Sequence, residues 1–363
     1  CWGLNSYGQL GRGEVNVGYE APAAVSNIDD ALAVVAGDKH FCALLGDRTV
    51  SCWGDNAWGQ IGDGTRVSRS TPTAVPGLSE VIKLRANGDH TCAINRSGRL
   101  RCWGRASAGQ LGDGRMATTS NPQAVNRTGD ATELVGGDEH LCMVVNSRTV
   151  RCWGGNSRGQ LGDGSLSPTH IPLQVGGVIR TGYGGPPLFA ATQDSSCSVS
   201  TFTEADKIAC WGSFPTGSGN QTRTIAASLP ADFDGASKMA FGNSHACLVK
   251  NGAIKCWGSN SQGALGRVGP DSATPVATAL SYNGVDVAAD YTVSCGIFTV
   301  PREGNKVYCW GGRSSYRLGD GLNNGTVATP QLVPGTTGAA SIALGGSTAC
   351  AVLGNGRVMC WGN

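Results

Sequence analysis

Histidine recurs at His40, His90, His140 and His245, each two residues before a cysteine, and the chain of 363 residues carries 15 cysteines in all. Residues of these types support three chemistries. Imidazole and thiolate ligate zinc, a thiolate beside an imidazole is an activated nucleophile, and two thiols close a disulfide. Spacing separates the three. Structural zinc favours CxxC knuckles, and the sequence has none. Fourteen cysteines instead form pairs with a turn between them: Cys42/Cys52, Cys92/Cys102, Cys142/Cys152, Cys197/Cys210, Cys247/Cys256, Cys295/Cys309 and Cys350/Cys360.

Each pair sits on two short apolar runs joined by a turn, such as "FCALLGD" and "RTVSCWG". Facing residues on antiparallel neighbours have Cβ atoms roughly 4.5–5.5 Å apart, near disulfide range. Free thiols packed as small hydrophobes are the rival reading, but both partners recur together seven times. The pairs are therefore expected as disulfides, one per repeat, each adding roughly 2–3 kcal/mol by closing a loop of about ten residues. Disulfides place the chain in an oxidising compartment, extracellular or at the cell surface. Cys1 has no counterpart; pairing with an upstream cysteine, pairing with another molecule, and a free thiol all remain open.

The histidines occupy one repeated position, which in a repeat architecture places them whole units apart. The expected role is therefore a hydrogen bond to a turn, with no metal site. Ser195, Val293 and Thr348 stand at this position in the other repeats. Asp63, Asp113, Asp163 and Asp320 recur in Gly-Asp-Gly turns, where a carboxylate ordinarily shapes the turn. Cysteines committed to disulfides are not nucleophiles. No nucleophile elbow, HExxH or EF-hand loop occurs, so neither catalysis nor a cofactor is expected.

The elements that carry these residues repeat. The tripeptide CWG begins at Cys1, Cys52, Cys102, Cys152, Cys210, Cys256, Cys309 and Cys360, bracketing seven units of about fifty residues. Each unit holds three strand-like runs, a glycine-rich loop and a fourth run of the "TPTAV" kind. Alternation of Val, Ile, Ala and Thr with polar residues, punctuated by Gly, Asp and Pro, marks strands. Four short strands in each of seven repeats predict an all-β chain: a seven-bladed β-propeller of four-stranded antiparallel blades spanning 1–363 as one domain. An open β-solenoid is the alternative, although its repeats are usually shorter. A strand near 19–25 ("YEAPAAV") is expected to close the last blade, which ends at Trp361 without a fourth run.

The loop motif Gly-Gln-[Leu/Ile]-Gly stands at Gly8–Gly11, Gly59–Gly62, Gly109–Gly112 and Gly159–Gly162. With the "H-x-C-A-L" and "C-W-G-x-N" segments, it makes the chain resemble the regulator of chromosome condensation repeat family over essentially its whole length. The resemblance implies a seven-bladed propeller. It also implies the activity of that family's nuclear member, guanine-nucleotide exchange on a small GTPase. The cysteine pairs depart from that nuclear pattern. In the loops, the glutamines are expected to bond backbone. Phosphate binding is not expected, because there is no GK[ST] and no following helix.

With 28 basic and 26 acidic residues, the formal charge of +2 gives no electrostatic case for nucleic acid or an anionic membrane. No apolar run is long enough to span a bilayer, so membrane insertion is not expected. Sequons at Asn95, Asn126, Asn220 and Asn324 fall in expected loops as glycan candidates. The irregular repeats carry candidate partner contacts of the aromatic-plus-Arg kind: Tyr183, Phe189, Phe202, Phe214 and Arg302. The chain opens inside a motif and reads as a piece of something longer. The expected function is thus a non-enzymatic extracellular interaction or scaffold module: a receptor ectodomain, or a matrix, cell-wall or filament component. Its partner is a protein, another copy of itself, or a flanking segment of a longer chain. The alternatives are the exchange factor and a secreted inhibitor that caps an enzyme with one propeller face.

Overall fold

The computed structural model describes residues 3–20, 24–146, 149–176, 188–191, 194–199, 208–216, 219–228, 236–345, 348–355 and 357–362. Strands β1 (Gly3–Asn5) and β2 (Asn16–Glu20) form a two-stranded ladder. Blade 1 follows as β3 (Ala31–Ala36), β4 (His40–Leu45), β5 (Val50–Gly54) and β6 (Arg69–Ala74). Blade 2 is β7 (Val81–Asn87), β8 (His90–Asn95), β9 (Leu100–Gly104) and β10 (Thr119–Ala124). Blade 3 is β11 (Ala131–Gly136), β12 (His140–Val145), β13 (Thr149–Gly154) and β14 (Thr169–Gln174).

Blade 4 is β15 (Leu188–Ala191), β16 (Ser195–Val199), β17 (Ile208–Thr216) and β18 (Gly219–Ser228). Blade 5 is β19 (Ala236–Phe241), β20 (His245–Lys250), β21 (Ala253–Gly258) and β22 (Ser272–Ala277). Blade 6 is β23 (Asn283–Asp290), β24 (Val293–Val300), β25 (Gly304–Gly312) and β26 (Thr326–Leu332). Blade 7 has three strands among the described residues: β27 (Ala339–Gly345), β28 (Thr348–Leu353) and β29 (Val358–Gly362). Every blade is a meander in chain order, so the fold is a seven-bladed all-β propeller and the solenoid alternative falls.

Two compact units partition the chain. One holds Cys1–Pro186, Gln193–Ser196 and Thr224–Ala226; the other holds Pro187–Thr192, Cys197–Arg223 and Ala227–Asn363. No helix among the described residues is long and apolar enough to cross a membrane.

Of the stretch near 19–25 expected to close the last blade, Tyr19 and Glu20 belong to β2, which ladders onto β1 through Leu4↔Tyr19 and Gly3↔Glu20. Residues 21–23 lie outside the described ones. The eighth CWG explains the pairing, because β1 offers a hydrogen-bonding edge about a dozen residues away and a short loop is cheap to close.

The CWG motif has one geometric job per residue. The cysteines of each hairpin face each other directly, as in Cys42↔Cys52 and Cys142↔Cys152. All seven expected pairs are joined in the structure, with Cα atoms 4.0–4.1 Å apart. The tryptophan interrupts the ladder to the fourth strand: Cys52 pairs with Thr73 and Gly54 with Arg69, leaving Trp53 between them. Gly54 then takes φ +104°, and a Cβ there would stand 2.4 Å from the Lys39 carbonyl oxygen, so only glycine fits.

Released from the ladder, the indole reaches back to the preceding repeat. Trp103 is fully buried and donates from Nε1 to the Gln60 carbonyl at 2.9 Å. Trp53 does the same to Gln9, Trp153 to Gln110, Trp310 to Ala264 and Trp361 to Arg317. The last glycine of the loop motif makes room: a Cβ on Gly62 would meet Trp103 Nε1 at 2.6 Å. Burying one such indole removes ~150–250 Å² from water, worth about 4–6 kcal/mol at ~25 cal/mol per Å² before entropy is counted.

The cores lie between neighbouring blades. One cluster joins Cys42, Leu44 and Ile61 to Val81 and Trp103, and the next joins Cys92, Ile94 and Leu111 to Leu141, Met143 and Trp153. A blade of this kind cannot cover its own faces, which is why the sequence repeats.

Candidate functional site

The glycine-rich loop that follows a CWG is built from inside, as the first blade shows. Asn56 Oδ1 accepts from Ile61 N at 2.9 Å, and its Nδ2 donates to the carbonyls of Thr65 and Val67 at 3.2 and 3.0 Å. Gln60 Oε1 accepts from Trp58 N at 2.9 Å. Gln9, Gln110 and Gln160 cap their own loops in the same way, so the expected glutamine–backbone bonds are present. Asp63 Oδ1 accepts from the amide and hydroxyl of Thr65, while Oδ2 accepts from Arg69 Nε at 2.7 Å. Asp113, Asp163 and Asp320 also accept from backbone two residues on. These are turn formers. Among the described residues, no three His, Cys, Asp or Glu side chains are placed to hold a metal ion.

The histidines differ from expectation in their partner. Three of the four, His40, His140 and His245, bond a hydroxyl of the following blade. His40 Nε2 lies 2.7 Å from Thr91 Oγ1, His140 Nε2 lies 2.9 Å from Ser196 Oγ, and His245 Nε2 lies 2.7 Å from Ser294 Oγ. Thr91 in turn donates to the Gln60 carbonyl at 3.1 Å, and Ser294 to the Ala264 carbonyl at 3.2 Å. Thr91 and Ser294 thus spend their protons on carbonyls, so the imidazoles of His40 and His245 are the donors, each with its proton on Nε2.

A serine beside a histidine resembles a catalytic dyad, but the geometry opposes that role. A nucleophilic serine gives its proton to the imidazole and stands where substrate can reach it. Here the proton runs the other way, and His245 and Ser294 are buried at 1% and 0% exposure. Burial holds His40 and His245 neutral, with pKa lowered to about 4. His90 falls further, to about 3, through burial and then the charges of His40, His140 and Arg85.

A polar concavity lies in the first unit. It is a cavity of about 280 Å³, lined by Asp38, Asp89, Asp138, Glu139 and Asp194 together with Arg105 and the buried Gln160. The turns that lead into β4, β8 and β12 supply Asp38, Asp89, Asp138 and Glu139, and Asp194 stands just before β16. These turns touch one another: Asp38 N donates to the Gly88 carbonyl at 2.9 Å. Burial raises the Asp38 pKa, and the nearby charges of Asp138 and Asp89 raise it further. Burial likewise raises Asp89, against the pull of Arg105, whose Nη1 lies 3.6 Å from its Oδ2. Arg105 also covers the half-exposed Trp58 ring at 5.2 Å, and Lys39 covers Tyr7 at 4.7 Å. The cavity is thus a carboxylate-lined hollow with cation-capped aromatics beside it, chemically suited to basic side chains.

Of the expected contact residues, Arg302 is exposed on the turn between β24 and β25. Tyr183 and Phe202 lie outside the described residues. Phe189 and Phe214 lie in β15 and β17, and their side chains are outside the description. Asn126 and Asn324 are exposed, whereas Asn95 is half-buried and accepts from Ser97 Oγ and Arg99 N. The Asn220 side chain and Cys1 lie outside the description.

Sequence reasoning missed the acidic cavity. Its signal is nonetheless in the repeat columns just before the histidine position: "GDKH", "GDH", "GDEH" and "QDSS" carry acids within two residues of it in four consecutive repeats, "DYTV" carries Asp290 one column earlier, and "GNSH" and "GGST" carry none.

Comparison with known folds agrees with the blade geometry. Prp20p from Saccharomyces cerevisiae, solved in a study of its binding to Gsp1p and histones, superposes with a TM-score of 0.69 at 21% identity, over 93% of this chain and 85% of that one. Human WBSCR16 gives 0.70 at 18% identity, over 94% and 96%. The ectodomain of the Arabidopsis thaliana receptor kinase ACR4 gives 0.51 at 19% identity, over 92% and 95%. These likenesses establish the fold. A family model described as the RCC1-like domain matches residues 1–363, and the chain belongs to that family.

Proposed function

We propose that this RCC1-like propeller is a non-enzymatic extracellular interaction module that offers the turn-and-loop surface around its acidic cavity to a basic segment of a protein partner. The observation that carries the reading is the cysteine pairing: every blade holds two sulfurs directly across one hairpin. Such pairs persist where the surroundings are oxidising. The receptor-kinase ectodomain of the same fold class supports an outward-facing setting. The carboxylate-lined cavity supports the choice of a basic partner.

The experiment is a thiol titration of the chain purified from its native compartment, denatured without reductant. The reading expects at most one reactive thiol, that of Cys1. Fourteen or more would remove the extracellular setting.

The likeness to Prp20p, whose structure was reported with its binding to Gsp1p and histones, favours a second reading: exchange activity on a small GTPase. Release of labelled guanine nucleotide from a small GTPase, measured with and without this chain, separates the two. The interaction-module reading expects no acceleration.

A further inference from the structure

We propose that the face of blade 2 turned toward blade 3 holds a small anion, bound by Arg85, Asn87 and His90. The ladder register sets the site. Asn87 stands opposite His90, and Arg85 stands opposite Cys92. Residues two apart on a strand share a face, and so do cross-strand partners. All three polar side chains therefore share the face of Cys92, which packs against Leu134 and Leu141 of blade 3.

Arg85 is the exception at its position. The residue paired with the first cysteine of the hairpin is Val35 in blade 1, Val135 in blade 3, Ala240 in blade 5 and Ala288 in blade 6. In blade 2 a guanidinium takes the place of an apolar side chain. Burial lowers its pKa, and no charged group offsets that. Asp89, on the turn that joins β7 and β8, is paired with Arg105.

His90 is the exception at its own position. His40, His140 and His245 each meet a hydroxyl from the next blade, but the residue that His90 meets in that column is Leu141. His90 is 1% exposed, and both of its ring nitrogens are without a hydrogen-bond partner among the described residues. Arg85 Nε and Asn87 Nδ2 are buried and without partners as well. Donors thus gather on one face of an apolar interface, beside a cation with no counter-charge among the described residues. Leaving them so is costly, because buried donors and an uncompensated charge lose their hydration without replacement. A water would satisfy donors but not the charge. A halide or a carboxylate of acetate size accepts from Nε–H, Nδ2–H and an imidazole N–H together, and offsets the guanidinium.

Bromide is the probe. Crystals of the full chain grown in sodium bromide and measured at the bromine absorption edge should show an anomalous peak within hydrogen-bond distance of Arg85 Nε and His90. Arg85→Val, which copies blades 1 and 3, should lose that peak. In solution, 100 mM bromide against a site of ~10 mM Kd favours the folded state about 11-fold. Wild-type melting should therefore rise by about 2 °C relative to Arg85→Val when bromide replaces fluoride. The difference between the two proteins cancels the general salt effect. Arg85→Gln, which keeps polarity and removes charge, should behave as Arg85→Val does and serves if the valine chain folds poorly. A water in place of the peak, an adventitious ion only that persists in the variants, or parallel melting shifts would overturn the assignment.

Discussion

Thr91 Oγ1 sits 2.7 Å from His40 Nε2 and passes its own proton to the Gln60 carbonyl, 3.1 Å away. One hydroxyl thereby fixes the tautomer of a histidine in the preceding blade and anchors the loop whose next contact is the Trp103 indole. Replacing it with valine keeps the shape and removes both bonds. A buried donor left unmet costs about 1–3 kcal/mol, so Thr91→Val should lower unfolding stability by that amount in urea. The same change at the part-buried Thr73 should cost little. Equal losses at the two sites would mean that volume, and not the relay, is what Thr91 supplies.

Acid should act on the same relay. Folded pKa values of about 4 for His40 and His245, and about 3 for His90, lie below the unfolded value of 6.5. Neutral in both states above pH 6.5, the three histidines cost nothing there. As pH falls from 6.5 toward 4, the unfolded chain binds protons that the folded chain refuses. Stability then drops by about 1.4 kcal/mol per pH unit for each histidine, or roughly 4 for three. Asp38 and Asp89 act with the opposite sign, since their folded pKa values are raised. Unfolding free energy measured by urea at steps from pH 7 to 4.5 should fall steeply, and less so in His245→Gln. A flat profile would refute the burial of neutral imidazoles.

The acidic cavity makes a prediction about salt. Asp38 faces the charges of Asp89 and Asp138, so neutralising it should relieve repulsion. Because Asp38 is exposed, solvent screens the gain, and Asp38→Asn should stabilise the chain by about a few tenths of a kcal/mol at pH 7. The gain should shrink as sodium chloride rises from 20 to 300 mM, and melting curves across about that range would read it. A variant less stable at every salt concentration would show that Asp38 holds the turn through a bond and not through its charge.

What could be read from the sequence was what is local. A hairpin places Cys142 against Cys152 within ten residues, and the glycine-rich loop closes on its own Asn156 and Gln160. The longer relations were not visible within one repeat. His40 reaches Thr91 across 51 residues of chain, and only a reading down the column before each cysteine brings out the match. Thr91, Ser196 and Ser294 follow histidine repeats, whereas Ala246 and Ala349 follow repeats without one. The net charge of +2 likewise averages away an acidic cavity assembled from four separate turns.

Exposure sets an order for reduction. Twelve of the paired cysteines are wholly buried, from Cys42 to Cys309, whereas Cys350 and Cys360 in blade 7 are only partly so. Thiolate attack on a disulfide needs access to a sulfur, so the last pair should open first in mild reductant under native conditions. The others should wait for blades to part, because all six are wholly buried and five of them lie in cores shared with the next blade. Brief dithiothreitol treatment, alkylation and peptide mass mapping should therefore label Cys350 and Cys360 well before Cys142 and Cys152. Simultaneous labelling of all seven pairs would mean that the blades unfold together before any sulfur is reached.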